Sequence, residues 1–227
     1  MSAYGSPKKA QVLNLSGHPK PHGLSLLYSE LISRRFDSRL LTGNAMDLTE
    51  TELSTELLCE GKLLHVRRDH VRLPSGHTST REYIIHPGAA VILPLFENGD
   101  VLLERQYRYP LRREFIEVPA GKLDPAEDPE ACARRELREE TGYHASELRF
   151  LFDFYPAIGY SNEILYFYLA QGLTHIAHER DHDEFLEILR VPFDDAMMMV
   201  RHGEICETKT VTALFWWEKV KRGDWQL

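Results

Sequence analysis

Apolar and polar positions fall into short, distinct runs from about residue 57 onward. "KLLHVRRDHVRL" and "TREYIIH" flank the turn sequence "PSG" and predict an antiparallel hairpin within residues 62–86. "AAVILPLF" is an unbroken apolar run, as expected of a fully buried strand. "ENGD" then supplies an Asn-Gly turn into "VLLERQYR", and "REFIEVP" reads as a further strand. "DPEACARRELREETG" carries helix punctuation, with Asp128 as N-cap, Pro129 at the first helical position and Gly142 just past the end. Three aromatic and branched runs follow as strands, "LRFLFDFY", "EILYFYLA" and "FLEILRVP". Two helical patterns close the chain: "DDAMMMVRHG", and "TKTVTALFWWEKVKRG" with Val211, Leu214, Phe215 and Val220 expected inward. This order predicts an α+β protein: a mixed, largely antiparallel sheet with a central helix, arranged as an α/β/α sandwich.

Residues 1–55 carry a weaker pattern and are expected to form an extension to a single domain spanning 56–227. Their start is loop-like, rich in Gly, Pro and Ser, and "LSLLYSELISRRF" predicts one short amphipathic helix with Leu27, Leu31 and Ile32 inward. "TETE" at 49–52 fits a capping box and hence a helix start.

Composition narrows the function. With 43% hydrophobic and 27% charged residues the chain can bury a core and stay soluble. A formal net charge of −8 disfavours nucleic acid and anionic membrane as partners, so an anionic substrate needs a local metal or arginine cluster. No apolar run is long enough to cross a bilayer, and no secretory signal is visible. Cys59, Cys132 and Cys206 have neither metal-site nor disulfide-framework spacing, as expected of reduced thiols in a cytoplasmic protein.

The candidate chemistry lies in "RELREE", where Glu136, Glu139 and Glu140 occupy i, i+3 and i+4 of the central helix. Charged helix faces are commonly just solvated. An Arg135–Glu139 attraction and a Glu136–Glu140 repulsion are each only about 0.2–0.5 kcal/mol, so neither decides. The apolar positions on this helix are few, Cys132, Ala133 and Leu137, which points the glutamates into a site. Three carboxylates within one turn require a compensating cation, and hard oxygen donors select Mg²⁺ or Mn²⁺. On this reading the face is strained without the metal.

The spacing extends the argument. Gly121, five residues, Glu127, seven residues, then Arg135-Glu136-Leu137-x-Glu139-Glu140-x-Gly142-Tyr143 is the 121–143 loop-helix-loop pattern called the Nudix box. The chain therefore resembles the Nudix hydrolases. "TREYIIHPGAAVILPL", "LERQYRYPLRREFIEVPAGKLD", "YPAIGYSNEILYFYLA" and "GEICETKTVTAL" look like the ADP-ribose pyrophosphatase branch. That resemblance covers about residues 56–222 and implies metal-dependent cleavage of a nucleoside diphosphate sugar, ADP-ribose giving AMP and ribose 5-phosphate. It implies Glu136 and Glu140 as principal metal ligands, with Glu139 and the carbonyl of Ala120 as further ligands and Arg135 orienting the carboxylates. Glu184 in "HDEFLE" takes the role of base or extra ligand, with Asp183 or Glu187 as alternatives. Arg81, Glu82, Arg108 and Glu163 match substrate-contacting positions, whereas Tyr107, Tyr109 and Phe115 read as core or interface. The branch also implies a homodimer that exchanges the N-terminal strands 56–86. One departure bears on specificity: Ile158 precedes Gly159 where ADP-ribose-specific relatives carry proline, Pro156 lying two residues earlier. This keeps another nucleotide sugar, such as GDP-mannose, open as substrate. A catalytically silent ADP-ribose-binding module is the competing class, but such regulators carry a winged helix after the domain, and this chain ends at "RGDWQL" shortly after its last expected helix.

Overall fold

The computed structural model describes residues 46–176 and 185–227. At its centre lies strand β4 (Ala89–Pro94), all six residues of which are buried. Successive side chains of a strand point to opposite faces, and here they divide two cores. Val91 and Leu93 pack with Phe193, Ala196, Ala213 and Leu214, while Ala90 and Ile92 pack with Cys132, Ala133 and Leu137. The first group brings in helices α2 (Phe193–His202) and α3 (Thr208–Lys221), and the second brings in α1 (Pro129–Thr141). The α/β/α sandwich therefore follows from one strand that is apolar at every position.

Around β4 the sheet runs β7 (Ala120–Lys122), β4, β9 (Leu165–His175), β8 (Tyr143–Phe154). β4 pairs in parallel with β9 and antiparallel with β7, so the sheet is mixed. A parallel pair needs cover on both faces, which the helices provide. β10 (Leu186–Val191), β5 (Val101–Arg108) and β6 (Arg113–Glu117) form a second, antiparallel sheet. β1 (Thr51–Glu60), β2 (His65–Arg72) and β3 (Thr78–Ile85) form a third, an antiparallel meander. Every residue of β1 is exposed in the single chain, including Leu53, Leu57 and Leu58.

Several expectations are met closely. The "PSG" turn joins β2 to β3, and α1 starts and stops where its punctuation placed it. The Asp128 carboxylate accepts the amides of Glu130 and Ala131, and Gly142 closes the helix at φ 74°. Others are corrected. Thr49–Glu52 caps no helix but leads into β1, which begins at Thr51, ahead of the expected residue-56 boundary. A capping signature acts only before a segment that can bury a helical face, and this segment instead pairs edge to edge with β2. Phe215 is exposed, because the inward face of α3 is built from Thr210, Ala213 and Leu214, with Val211 and Trp217 packed alongside. The first loop of the loop-helix-loop pattern begins as the short strand β7. The helix expected over "LSLLYSELISRRF" lies outside the described residues.

Candidate active site

α1 presents two faces with different tasks. Cys132, Ala133 and Leu137 are fully buried against the sheet, which fixes the rotation of the helix about its axis. That rotation aims Glu136 and Glu140, one turn apart, at the segment running from the end of β6 into β7. There the Ala120 amide donates to Glu140 Oε2 at 3.0 Å. The Glu136 carboxylate lies so close over Gly121 that a Cβ built at this position would fall inside its van der Waals envelope. The glycine of the motif is thus a matter of close approach.

The expected strain on the acidic face is relieved in part within the protein, so a metal is not the only cation that balances it. Arg135 donates to both Glu127 oxygens at 2.9 Å, to Glu136 Oε1 at 2.6 Å and to Glu139 Oε2 at 3.1 Å. It also donates to the Lys122 carbonyl at 3.2 Å. Such charge-assisted bonds are the strong class of hydrogen bond, and the Glu127 bonds in particular hold the Arg135 proton more firmly than usual. Arg135 in turn holds the Glu127 carboxyl at about 2, below its ordinary 4.5. Glu139 is also paired with Arg138, at 3.4 Å. Four carboxylates (Glu127, Glu136, Glu139, Glu140) against two guanidiniums leave a formal excess of two negative charges among these groups.

Two predictions arise here. Gly121→Ala should leave thermal stability nearly unchanged, because the Glu136 carboxylate is the far end of a flexible side chain and can swing away. The same displacement should cut turnover by about 10²-fold, as expected when a catalytic group is misplaced by about 1 Å. Paired melting and kinetic measurements check both halves. Glu127 gives a pH prediction. Its folded pKa lies below the unfolded one, so its contribution to stability is complete above pH 4.5 and is lost as pH falls toward about 2. Glu127→Gln should therefore flatten the acid limb of the stability curve in that window, which acid titration followed by circular dichroism reads.

Glu136, Glu140 and Ala120 border a cleft of about 750 Å³, within the range that holds a nucleotide-sized ligand. Arg108 and Glu163 line the same cleft. Arg108 forks onto Glu117 with two bonds of 2.8 Å, and Glu117 is 1% exposed. Burial pushes the Glu117 carboxyl up, but Arg108 and Lys209 together bring it below its ordinary range. Glu163 lies 3.8 Å from His86 Nδ1. The loop that carries it is stitched to the end of β3 by Ile84 N–H to the Tyr160 carbonyl (2.8 Å) and His86 N–H to Asn162 Oδ1 (2.7 Å). Burial lowers the His86 pKa, and the backbone N–H of Gly88 donates to its Nδ1 at 3.1 Å.

The remaining sequence-predicted residues stand elsewhere. Glu139 does not line the cleft. Nor do Arg81 and Glu82, which lie on β3 and pair with Glu50 and Arg68. Glu187, one of the alternatives to Glu184, is tied to Arg105 across the β10–β5 pair. Glu184 and Asp183 lie outside the described residues. Sequence reasoning missed Glu117, Glu207 and Lys209 on the cleft wall; a buried-strand pattern ending in a charged residue was the available signal for Glu117.

The donor set fits a hard divalent cation. Among the described residues no group of three or more His, Cys, Asp or Glu side chains is placed to hold a metal by itself. Two carboxylates on one cleft, with the surplus negative charge noted above, suit an ion that keeps waters and takes further ligands from substrate phosphates. Mg²⁺ is commonly bound in that way, and Zn²⁺, which prefers imidazole and thiolate, is not. Among the described residues no helix is long and apolar enough to cross a membrane.

Comparison with known proteins agrees with this geometry. The NUDIX domain family matches residues 85–209, and the nucleoside diphosphate sugar hydrolase N-terminal domain matches 50–84. The ADP-ribose pyrophosphatase of Bacillus subtilis (strain 168) is 38% identical over 169 residues, 74% of this chain and 91% of that protein. The GDP-mannose pyrophosphatase of Citrobacter koseri is 37% identical over 136 residues, 56% and 71% of the two chains. Among solved structures, an ADP compounds hydrolase superposes with a TM-score of 0.72 at 26% identity, covering 81% of this chain and all of that one. With an acidic helix, a glycine-backed carboxylate and a nucleotide-sized cleft in one place, and with these family matches, the chain belongs to the Nudix hydrolases.

Proposed function

We propose that the protein hydrolyses the diphosphate bond of ADP-ribose, giving AMP and ribose 5-phosphate, in a magnesium-dependent reaction. Glu136, Glu140 and the Ala120 carbonyl would hold Mg²⁺, with Glu139 as a further ligand, and Mn²⁺ would substitute. The ion, when bound, supplies positive charge to the diphosphate and acidifies water beside it. Arg135 keeps the carboxylates oriented, and Arg108 presents its guanidinium to the phosphates. Glu163 accepts from a ribose hydroxyl. Glu184 takes a proton from the attacking water, one phosphorus gains the hydroxyl, and the bridging oxygen leaves with the other phosphate. Arg81 and Glu82 act from the partner of a homodimer, whose β1–β3 sheet reaches the neighbouring cleft. The wholly exposed β1, with its leucines, supports that assembly, and light scattering at micromolar concentration should find a dimer; a monomer contradicts it.

The observation that carries the reading is the meeting of Glu136, Glu140 and Arg108 on one cleft. A phosphatase-coupled assay with Mg²⁺ across ADP-ribose, GDP-mannose, ADP-glucose and NADH tests it. ADP-ribose should be turned over with the highest kcat/KM. A preference for GDP-mannose reassigns the substrate, and turnover of all four no faster than by Glu140→Gln rejects the reaction.

A further inference from the structure

The wall of the cleft facing the acidic helix contains a charge arrangement outside the Nudix motif. Glu117, at the end of β6, is almost completely buried, yet it receives two cations from different parts of the chain. Arg108 on β5 grips it with Nε and Nη2. Lys209, 92 residues away at the start of α3, donates Nζ to Glu117 Oε2 and lies 3.3 Å from Glu207 Oε2. The Lys209 side chain is only 12% exposed, so the ammonium is built into the wall. Glu207 is occupied with α3, accepting the amides of Lys209 (2.8 Å) and Thr210 (3.0 Å) as its N-cap. Its charge is further offset by the positive end of the helix. Thr210 Oγ1 accepts from the Val118 amide at 2.9 Å, which pins α3 to the segment leading to Ala120 and Gly121. Nη1 of Arg108 makes no hydrogen bond among the described residues, and the Arg108 side chain is 41% exposed on the cleft.

We infer that Lys209 is a positioning residue that balances the charge of buried Glu117, so that Arg108, held in place by Glu117, keeps its own charge for a diphosphate. Two cations share the Glu117 carboxylate, and the charge of Glu207, the second acid beside Lys209, is offset by the amides at the start of α3, which leaves positive charge on Arg108 toward the cleft. Without Lys209 that charge is spent on Glu117, and the phosphates meet a neutral pair. This rests on the diphosphate reading of the cleft and assigns α3 a part in substrate recognition rather than packing alone.

The arrangement predicts a rescue that a direct Lys209–phosphate contact does not. Inorganic pyrophosphate with Mg²⁺ is the binding probe, read by calorimetry, beside steady-state kinetics on ADP-ribose. Lys209→Met should weaken pyrophosphate binding about tenfold and raise KM by a similar factor, with kcat changed less than about threefold. Adding Glu117→Gln, which removes the charge that Lys209 balances, should restore binding to within about threefold of wild type. Lys209→Arg should stay close to wild type. If Lys209→Met does not fold, Lys209→Gln serves in its place. The inference is overturned if wild type does not bind pyrophosphate, if Lys209→Met binds it as wild type does, or if the double variant stays as weak as the single one. Lys209-dependent pyrophosphate binding with no turnover of any nucleotide sugar would instead reject the proposed reaction and leave this inference standing.

Discussion

Glu140→Gln should lower kcat for ADP-ribose hydrolysis by about 10³-fold, roughly 4 kcal/mol of transition-state stabilisation, while the melting temperature holds or rises. Both halves follow from where the carboxylate sits. Glu140 is 6% exposed, borders the cleft, and accepts the Ala120 amide. Glutamine keeps an oxygen for that amide, so the link between helix and loop survives. It removes one negative charge from a face that carries an excess of them, which relieves repulsion in the fold. On the proposed reading it also removes a charge that would hold the divalent ion against the diphosphate. A site that is strained for function gains stability when its function is removed. Kinetics beside thermal denaturation reads both, and a fall in melting temperature that tracks the loss of activity would show that Glu140 is structural.

Arg135→Met should act in the opposite sense. The guanidinium is the hub of Glu127, Glu136 and Glu139, so its removal leaves three carboxylates facing one another. Breaking a fully buried pair costs about 3–5 kcal/mol. Arg135 is one quarter exposed, and solvent screening reduces this to about 2–3 kcal/mol. For a domain of this size that lowers the melting temperature by about 5–10 °C. Turnover should also fall by about 10²-fold, because Glu136 loses the bond that orients it. Magnesium should raise the melting temperature of Arg135→Met more than that of wild type, since the ion then supplies compensation that the guanidinium gave. Equal magnesium shifts in both proteins contradict this balance.

What the sequence made legible is what local chemistry determines. Asp128, Pro129 and Gly142 delimit α1 through bonds to their immediate neighbours, and those bonds are present. The unbroken apolar run of β4 required burial on both faces, and the sandwich supplies it. The acidic turn pointed to a cation and the i,i+4 spacing to an Arg135–Glu139 pair, but local spacing did not show that Arg135 also forks onto Glu127, eight residues earlier in the loop before the helix. Contacts between distant segments were out of reach. Nothing local in "CETKT" shows that Lys209 reaches Glu117, and the pairing arises only once α3 packs on the sheet. "TETE" misled because its helix-start chemistry is outweighed by a ladder with β2 that spans the whole strand. Arg81 and Glu82 sit on that same meander, away from the cleft of their own chain, and the part proposed for them requires a second copy.

The most direct test is a crystal structure with Mg²⁺ and α,β-methylene ADP-ribose, in which a methylene replaces the bridging oxygen and the link between the phosphorus atoms is not hydrolysed. The account predicts an ion bound by Glu136, Glu140 and the Ala120 carbonyl, bridging to the diphosphate, with Arg108 Nη1 on a phosphate oxygen. An analogue seated in the cleft with Glu136 and Glu140 turned away from it, and the ion held elsewhere, would contradict it.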